Sequence, residues 1–418
     1  MKSQLAIGHN PLFASARFFR TNMATANPIP DTRSPDAPPG IGLLVTVAEM
    51  PPEQLESVFA SLTSTFPSDE LIIATPNETG GTAYPALHIV PTQATNAVWP
   101  LAATDFVNAH QLAVDHKARA ILMLGPGSNS LSASALRNLA NAALRTPTDL
   151  AVPHYTLPAN AGLVNSAILY PLSRALFGSR VRFPLAIDLG VSLRMAERLA
   201  NAGHRFTALN QGDAILWPAD EALVAGYSVD EIDVGPRMLP QPAEPNLNAI
   251  LALVTGSLFS EIETKAAFWQ RPRRLPTAPR PVAEMPSIEG TVDVVPMVEA
   301  FRLAYTNLQE IWSLVLAPNS LLGLKRLSVV EPAAFRMPEN LWARIVFDFL
   351  IAYKLRTINR GHLLGAMIPL YLAWVAGHIN VTASGTNAEF HIETVAAAFE
   401  ADKPYVVSRW RWPDRFNS

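Results

Sequence analysis

The sequence predicts an α/β protein with a mostly parallel sheet covered by helices on both faces, followed by a largely helical C-terminal region. Up to about residue 153, short apolar runs alternate with segments whose apolar residues recur at helical spacing. After about residue 233, runs typical of strands nearly vanish. With 49% hydrophobic and 16% charged residues, the 418-residue chain can build a large core.

Individual elements follow from the same patterns. Strands are predicted at 41–47, 71–74, 87–91, 120–124 and 150–153, and helices at 52–65, 101–116, 131–144, 246–268, 297–315 and 340–359. Pro52 suits the first turn of its helix, because a proline there loses no helical hydrogen bond. Residues 1–40 hold many prolines among small polar residues and are predicted to be a disordered tail. A Pro-rich connector covers 272–296.

Composition excludes several classes of protein. A net charge of −3 gives no basic field for nucleic acid. The absence of cysteine excludes disulfides, thiolate metal sites and cysteine nucleophiles, and fits a reducing compartment. Residues 1–22 lack the apolar core of a signal peptide, so we predict a cytoplasmic protein. The apolar stretch 363–377 is shorter than the roughly 20 residues that span a bilayer, which favours a buried helix over a membrane span.

The end of the strand 120–124 is a candidate ligand site, because ligands of open α/β sheets bind where strands end. The strand runs into Gly125-Pro126-Gly127-Ser128-Asn129-Ser130, which contains no acidic residue. Backbone N–H groups and hydroxyls of Gly125, Gly127, Ser128 and Asn129 could hold a phosphate. A dinucleotide fingerprint is incomplete, since Ser130 stands where a third glycine belongs. The alternative is a flexible helix start with no ligand.

Three segments carry a resemblance to a known family. They are 170–190, which contains Tyr170-Pro171-Leu172-Ser173-Arg174 and ends near Asp188, then 363–372, and 399–410 with Lys403-Pro404-Tyr405. The chain resembles the bacterial glucosylglycerate and mannosylglycerate synthase-like proteins, retaining glycosyltransferases of the GT-A fold. The resemblance implies a nucleotide-sugar-binding GT-A domain at 41–235, a helical C-terminal domain at 236–418, and a homodimer.

The chain departs from that family where the family binds its metal. The family's Asp-x-Asp motif falls on Gly125, Pro126 and Gly127, and its metal-binding histidine falls within 234–240, where we identify Leu239 as the replacement. A basic loop of the family reads Leu157-Pro158-Ala159 here. Mg²⁺ and Mn²⁺ require oxygen donors such as carboxylates. The sequence therefore argues against a bound metal ion and predicts no other cofactor.

Several residues remain as site candidates. Asp188 aligns with an acid that the resemblance places near the acceptor hydroxyls, and it is the candidate catalytic residue. Its alternative role is an acid at the start of a helix from about 191. Glu78 is a candidate for contact with the nucleotide base. Candidates for substrate contact, each with a purely structural alternative, are Arg180, Arg182, Tyr170 and His362.

Two functions of different classes follow. By resemblance, the protein transfers a sugar from a UDP- or GDP-linked donor to a small hydroxy-acid acceptor with retention and without a metal. The alternative is a pseudoenzyme, a non-catalytic glycosyltransferase-like protein that binds a sugar, a nucleotide or a homologue in a regulatory or scaffolding role. The missing metal ligands favour the alternative, because a departing diphosphate needs a cation.

Overall fold

The computed structural model describes residues 42–77, 87–92, 101–145, 147–240, 246–271 and 292–413. The predicted tail at 1–40, Glu78 and most of the connector at 272–296 lie outside these residues.

The described residues form a seven-stranded mixed sheet in the order β3-β2-β1-β4-β6-β5-β7. Its strands are β1 (Leu43–Val47), β2 (Leu71–Thr75), β3 (His88–Pro91), β4 (Ala120–Leu124), β5 (Leu150–Thr156), β6 (Asp188–Ser192) and β7 (Val229–Pro236). The paired strands are parallel except that β6 runs antiparallel to both β4 and β5. The sheet therefore places the amino end of β6 beside the carboxyl ends of β4 and β5.

Helices cover both faces of this sheet. They are α1 (Pro52–Thr65), α2 (Ala103–Asp115), α3 (Ala133–Leu144), α4 (Tyr170–Phe177), α5 (Leu193–Thr207) and α6 (Pro218–Ala225). Side chains alternate along a strand, so Leu43 and Val45 pack in one core with α1 and α3. Leu44 packs on the other face in a core with α2 and α5. This arrangement of helices and strands confirms the predicted α/β class, a mostly parallel sheet with helices on both faces and a helical region after it.

The C-terminal region is helical, as predicted. Its helices are α7 (Leu247–Thr264), α8 (Ala266–Trp269), α9 (Val295–Asn307), α10 (Gln309–Val315), α11 (Pro318–Leu327), α12 (Glu339–Leu355), α13 (Arg360–Ala383) and α14 (Ala388–Arg411). Their core includes four fully buried tryptophans, Trp269, Trp312, Trp342 and Trp374. Trp342 donates through Nε1 to the Ala167 carbonyl at 2.8 Å, in the π-helical turn Asn165–Leu169 that precedes α4.

The C-terminal helices share a core with the segment around α4, whereas the strands lie in two other clusters. Ile168, Leu172 and Phe177 belong to the same hydrophobic cluster as α7, α12 and α13, and residues 39–418 make up one compact unit. The boundary predicted between 235 and 236 stays a prediction.

The apolar helix α13 is longer than the sequence argument assumed. It has 24 residues and continues through Pro369. Among the described residues, α13 is the one helix long and apolar enough to cross a membrane, and 78% of its most apolar window is buried inside the protein. The predicted burial is confirmed, although the predicted length was too short.

The sequence analysis missed β6 and β7 as strands. Asp188 begins β6 and is not the helix-start acid considered above, because Ser192 caps α5 by accepting a hydrogen bond from the Met195 N–H at 3.3 Å. In β7, the acids Asp230, Glu231 and Asp233 interrupt the apolar pattern that marks a strand. β7 has a single partner, β5, at the edge of the sheet, where such residues are tolerated.

Candidate functional site

Strand register brings four parts of the chain together at the end of the sheet where β4 and β5 finish and β6 begins. We call this end of the strands the sheet edge. Leu124 at the end of β4 pairs with Asp188 at the start of the antiparallel β6. Tyr155 near the end of β5 pairs with Gly235 in β7, so Arg237 emerges beside them directly after that strand. The strand pairing thus places the side chains of Asp188, Tyr155 and Arg237 beside the loop that follows β4.

Asp188 and Arg237 form a buried ion pair, hereafter the buried ion pair. Arg237 Nε lies 2.9 Å from Asp188 Oδ2, and Nη2 lies 3.2 Å from Oδ1. Both side chains have 0% solvent exposure. Asp188 also accepts from the Gly125 N–H at 3.0 Å and from the Tyr155 hydroxyl at 2.9 Å. Its carboxylate is therefore fully engaged inside the protein.

The remaining donors of Arg237 face the loop after β4. Nη2 donates to the Pro126 carbonyl at 2.9 Å, and Nη1 donates to the carbonyls of Gly127 and Met238. Ser130 Oγ lies 3.2 Å from Nη1. Each guanidinium nitrogen thus has at least one acceptor, and the loop turns carbonyl oxygens toward a cation that the chain itself supplies.

Packing accounts for the two glycines of the loop. A Cβ at Gly125 would lie 2.7 Å from the Ile187 carbonyl oxygen. Gly127 has a φ of 75°, which favours glycine, and a Cβ there would lie 3.0 Å from Arg237 Nη1. The loop's N–H groups are also used internally, since Gly125 donates to Asp188 and Ser128 donates to the Gly125 carbonyl. The N–H groups of Gly125 and Ser128 are thus engaged within the protein, and the role of the loop as a phosphate cradle stays a prediction.

The electrostatics of the edge are balanced. Burial alone would lower the pKa of Arg237, but the Asp188 carboxylate raises it above its usual value. Burial and the Asp188 charge hold the pKa of Tyr155 well above 10. At neutral pH the edge therefore carries one cation matched by one anion, with a neutral phenol beside them.

Two substrate candidates contact α14 instead. Arg182 forms a bidentate pair with Glu389 at 2.9 and 3.0 Å, with both side chains nearly fully buried. The Tyr170 hydroxyl donates to Glu393 at 2.6 Å, and burial with this contact raises its pKa to about 12. In the structure these residues join the sheet region to the C-terminal helices.

The remaining candidates lie at exposed positions or in the loop after β4. Arg180 is exposed. His362 is exposed in the first turn of α13, where Asn359 Oδ1 accepts from its N–H at 3.3 Å. Asn129 is half-buried, and Ser128 is buried with no partner for its hydroxyl among the described residues. These substrate and loop assignments stay predictions.

Arg237 and Tyr155 are site residues that the sequence did not predict. The resemblance points to a histidine position within 234–240 with Leu239 as its replacement, yet the side chain that reaches the loop is Arg237. The signal in the sequence that could have identified Arg237 is a basic residue directly after a run of mixed acidic and apolar residues, 229–236. The described residues contain no group of three or more His, Asp or Glu side chains placed to hold a metal ion.

Known proteins similar to this chain are found among solved structures. No family model and no curated protein matches the sequence. Glucosyl-3-phosphoglycerate synthase from Mycobacterium tuberculosis, solved with phosphoglyceric acid, is 15% identical with a TM-score of 0.34, over 56% of this chain and 82% of that one.

The same enzyme solved with Mn²⁺, UDP and glucosyl-3-phosphoglycerate is 15% identical with a TM-score of 0.36, over 56% of this chain and 82% of that one. A mycobacterial protein is 15% identical with a TM-score of 0.36, over 56% of this chain and 77% of that one.

Proposed function

We propose that this chain is a non-catalytic protein of the GT-A glycosyltransferase type, which binds a small ligand or a homologue without transferring sugar. The observation that carries the proposal is the buried ion pair. It occupies the edge where strand ends meet and where a nucleotide-sugar enzyme would have to manage the charge of its leaving group.

Sugar transfer from a nucleotide-sugar releases a diphosphate, and its developing negative charge must be met by a cation. Arg237 is a cation at the sheet edge where the diphosphate would have to be neutralised. Its charge is already neutralised by Asp188, and its nitrogens already have acceptors. Turning Arg237 toward a diphosphate would leave Asp188 buried and unpaired, at a cost of about 3–5 kcal/mol.

The same residues do not fit Mg²⁺ or Mn²⁺. A dication at this edge would need the Asp188 oxygens and the carbonyls of Pro126 and Gly127. All of these groups accept hydrogen bonds from Arg237. A metal ion placed there would lie against a guanidinium, and like charges at that separation repel.

The catalytic alternative is metal-free retaining transfer from a UDP- or GDP-linked sugar to a small hydroxy acid, with Asp188 facing the acceptor and the Gly125 loop facing the diphosphate. It requires the ion pair to open in every turnover. The expected cytoplasmic location, bacterial source and homodimer are proposals from the sequence, and light scattering would test the dimer.

The deciding experiment titrates UDP-glucose and GDP-mannose with and without Mn²⁺, following thermal stability and release of free sugar or glycoside. We expect no sugar release and no effect of Mn²⁺ on melting. Stabilisation by a nucleotide or sugar without turnover would support a binding role. Turnover that depends on Mn²⁺ would refute the proposal, and metal-free turnover would establish the catalytic alternative.

A further inference from the structure

A cavity of about 340 Å³ lies next to the buried ion pair, between the loop after β5 and the helices α7 and α13. Tyr155 belongs to both features, since its hydroxyl binds Asp188 and its side chain lines the cavity. Leu169 and Val254 are buried lining residues, whereas Leu239 and Ile250 are half-buried. The cavity therefore extends from a deep apolar floor toward the protein surface.

The lining of this cavity is largely apolar and carries no charged side chain. None of its lining residues is Asp, Glu, Lys, Arg or His. Burial raises the pKa of its two phenols, Tyr155 and Tyr371, so both are neutral at physiological pH. A carboxylate or phosphate placed here would lose its hydration without meeting a cation of the lining.

Two lining asparagines have amide oxygens that the protein leaves without a donor. Asn160 Oδ1 and Asn165 Oδ1 are buried and have no hydrogen-bond partner among the described residues. Asn165 Nδ2 donates to the Arg182 carbonyl at 2.9 Å, which fixes that amide with its oxygen as the unused acceptor. Buried acceptors are almost always paired, because an unpaired one loses its hydrogen bonds to water without gaining any inside the protein.

We infer that this cavity is a binding site for a neutral, largely apolar molecule that carries hydroxyl donors, such as a hydroxylated aromatic or alicyclic compound. The hydroxyls would donate to Asn160 and Asn165, and the hydrocarbon part would pack on the apolar floor. An engineered protein cavity of about 150 Å³ accepts benzene. A space of about 340 Å³ therefore suits a ligand of one or two rings.

This ligand class differs from the hydroxy-acid acceptor that the family resemblance implies. A hydroxy acid is an anion at neutral pH, and it would need a basic side chain in the lining. The basic loop of the family is replaced here by residues 157–159, which carry no charge. The lining of the cavity therefore favours a ligand with hydrogen-bond donors and apolar surface, and disfavours a negatively charged ligand.

Three fluorinated probes of nearly equal size test the inference by fluorine NMR on the full chain: 4-fluorophenol, 4-fluoroanisole and 4-fluorobenzoate. The phenol donates a hydrogen bond, the anisole cannot, and the benzoate is an anion. We expect 4-fluorophenol to bind about tenfold more tightly than either of the others, the change in affinity that one hydrogen bond to a buried acceptor supplies.

Variants assign the binding to the cavity. Asn160→Leu and Asn165→Leu, made singly, keep the side-chain size, and at least one should abolish the tenfold advantage of the phenol. Val254→Phe should weaken binding of both neutral probes by filling the floor. Ile250→Phe does the same from the half-buried side if Val254→Phe fails to fold. Asn138→Leu, at an exposed position outside the cavity, is the matched control.

The inference is overturned if 4-fluorobenzoate binds as tightly as 4-fluorophenol or more tightly. It is also overturned if binding survives both phenylalanine variants, or if all three probes fail to bind. The inference rests on the proposed function in treating the protein as a binder. The probe experiment contains no nucleotide, sugar or metal, so Mn²⁺-dependent turnover would refute the proposed function and leave the cavity result standing.

Discussion

Replacing Arg237 with methionine tests whether the buried ion pair organises the edge of the sheet. Methionine matches the aliphatic part of arginine but leaves Asp188 with only the Gly125 N–H and the Tyr155 hydroxyl as donors. Removing one partner of a fully buried pair costs about 3–5 kcal/mol. For a folded unit the size of residues 39–418, with an unfolding entropy of about 0.8 kcal/mol/K, this lowers the melting temperature by about 4–6 °C.

The assay is urea unfolding followed by tryptophan fluorescence and circular dichroism. Arg237→Met should lower the free energy of unfolding at neutral pH by this amount, because it leaves the Asp188 carboxylate buried without a counter-charge. The double variant Asp188→Asn/Arg237→Met removes both charges and should recover at least half of the loss.

A surface pair provides the comparison. Arg336→Met breaks an ion pair with Glu339 in which the arginine side chain is 58% exposed, and such pairs contribute about 0–1 kcal/mol. If Arg237→Met costs no more than Arg336→Met, or if Asp188→Asn fails to rescue it, the buried ion pair does not have the role assigned to it.

Three further outcomes follow from the structure. Gly125→Ala should lower the free energy of unfolding in urea by about 1–3 kcal/mol, because its Cβ would lie 2.7 Å from the Ile187 carbonyl oxygen. Gly365→Ala has open space around its Cβ and should be neutral or stabilising. Equal effects of the two variants would contradict this reasoning. Burial, reinforced by a nearby glutamate, raises the pKa of Asp220 from 3.8 to about 8, so stability should fall as pH rises from 4 to 8. Asp220→Asn should therefore gain a few kcal/mol over the wild type at pH 8, and an unchanged pH slope would refute the argument. Burial beside a second histidine lowers the pKa of His378 from 6.5 to about 4, so stability should fall as pH drops from 6.5 to 4, and His378→Gln should flatten that limb in unfolding measured across this range.

Local patterns predicted much of the fold. The helix at 52–65 and the strand at 120–124 have the predicted bounds, because each is a strong periodic signal flanked by turn residues. β6 escaped notice because it is short and contains Gly190. A Cβ at Gly190 would lie 2.6 Å from the Leu139 carbonyl, so the small residue reflects close packing of α3 and not a break in the strand.

The site was harder to predict than the fold. The sequence pointed to Asp188 and to the loop after β4, and both meet at the sheet edge. The partner of Asp188 lies 49 residues further along the chain, and only the pairing of β7 with β5 brings it there. The periodicity of apolar residues indicates which face of one element is buried. It does not show which side chains from distant parts of the sequence form an ion pair.

The pairing of Arg182 with Glu389 has a consequence for shortened forms of the protein. Glu389 lies in the first turn of α14, and its two oxygens hold Nε and Nη2 of Arg182. A chain that stops before residue 388 would lack both the carboxylate that neutralises Arg182 and the helix that packs against α4. We therefore expect such a shortened chain to be less stable and more prone to aggregate than the full chain.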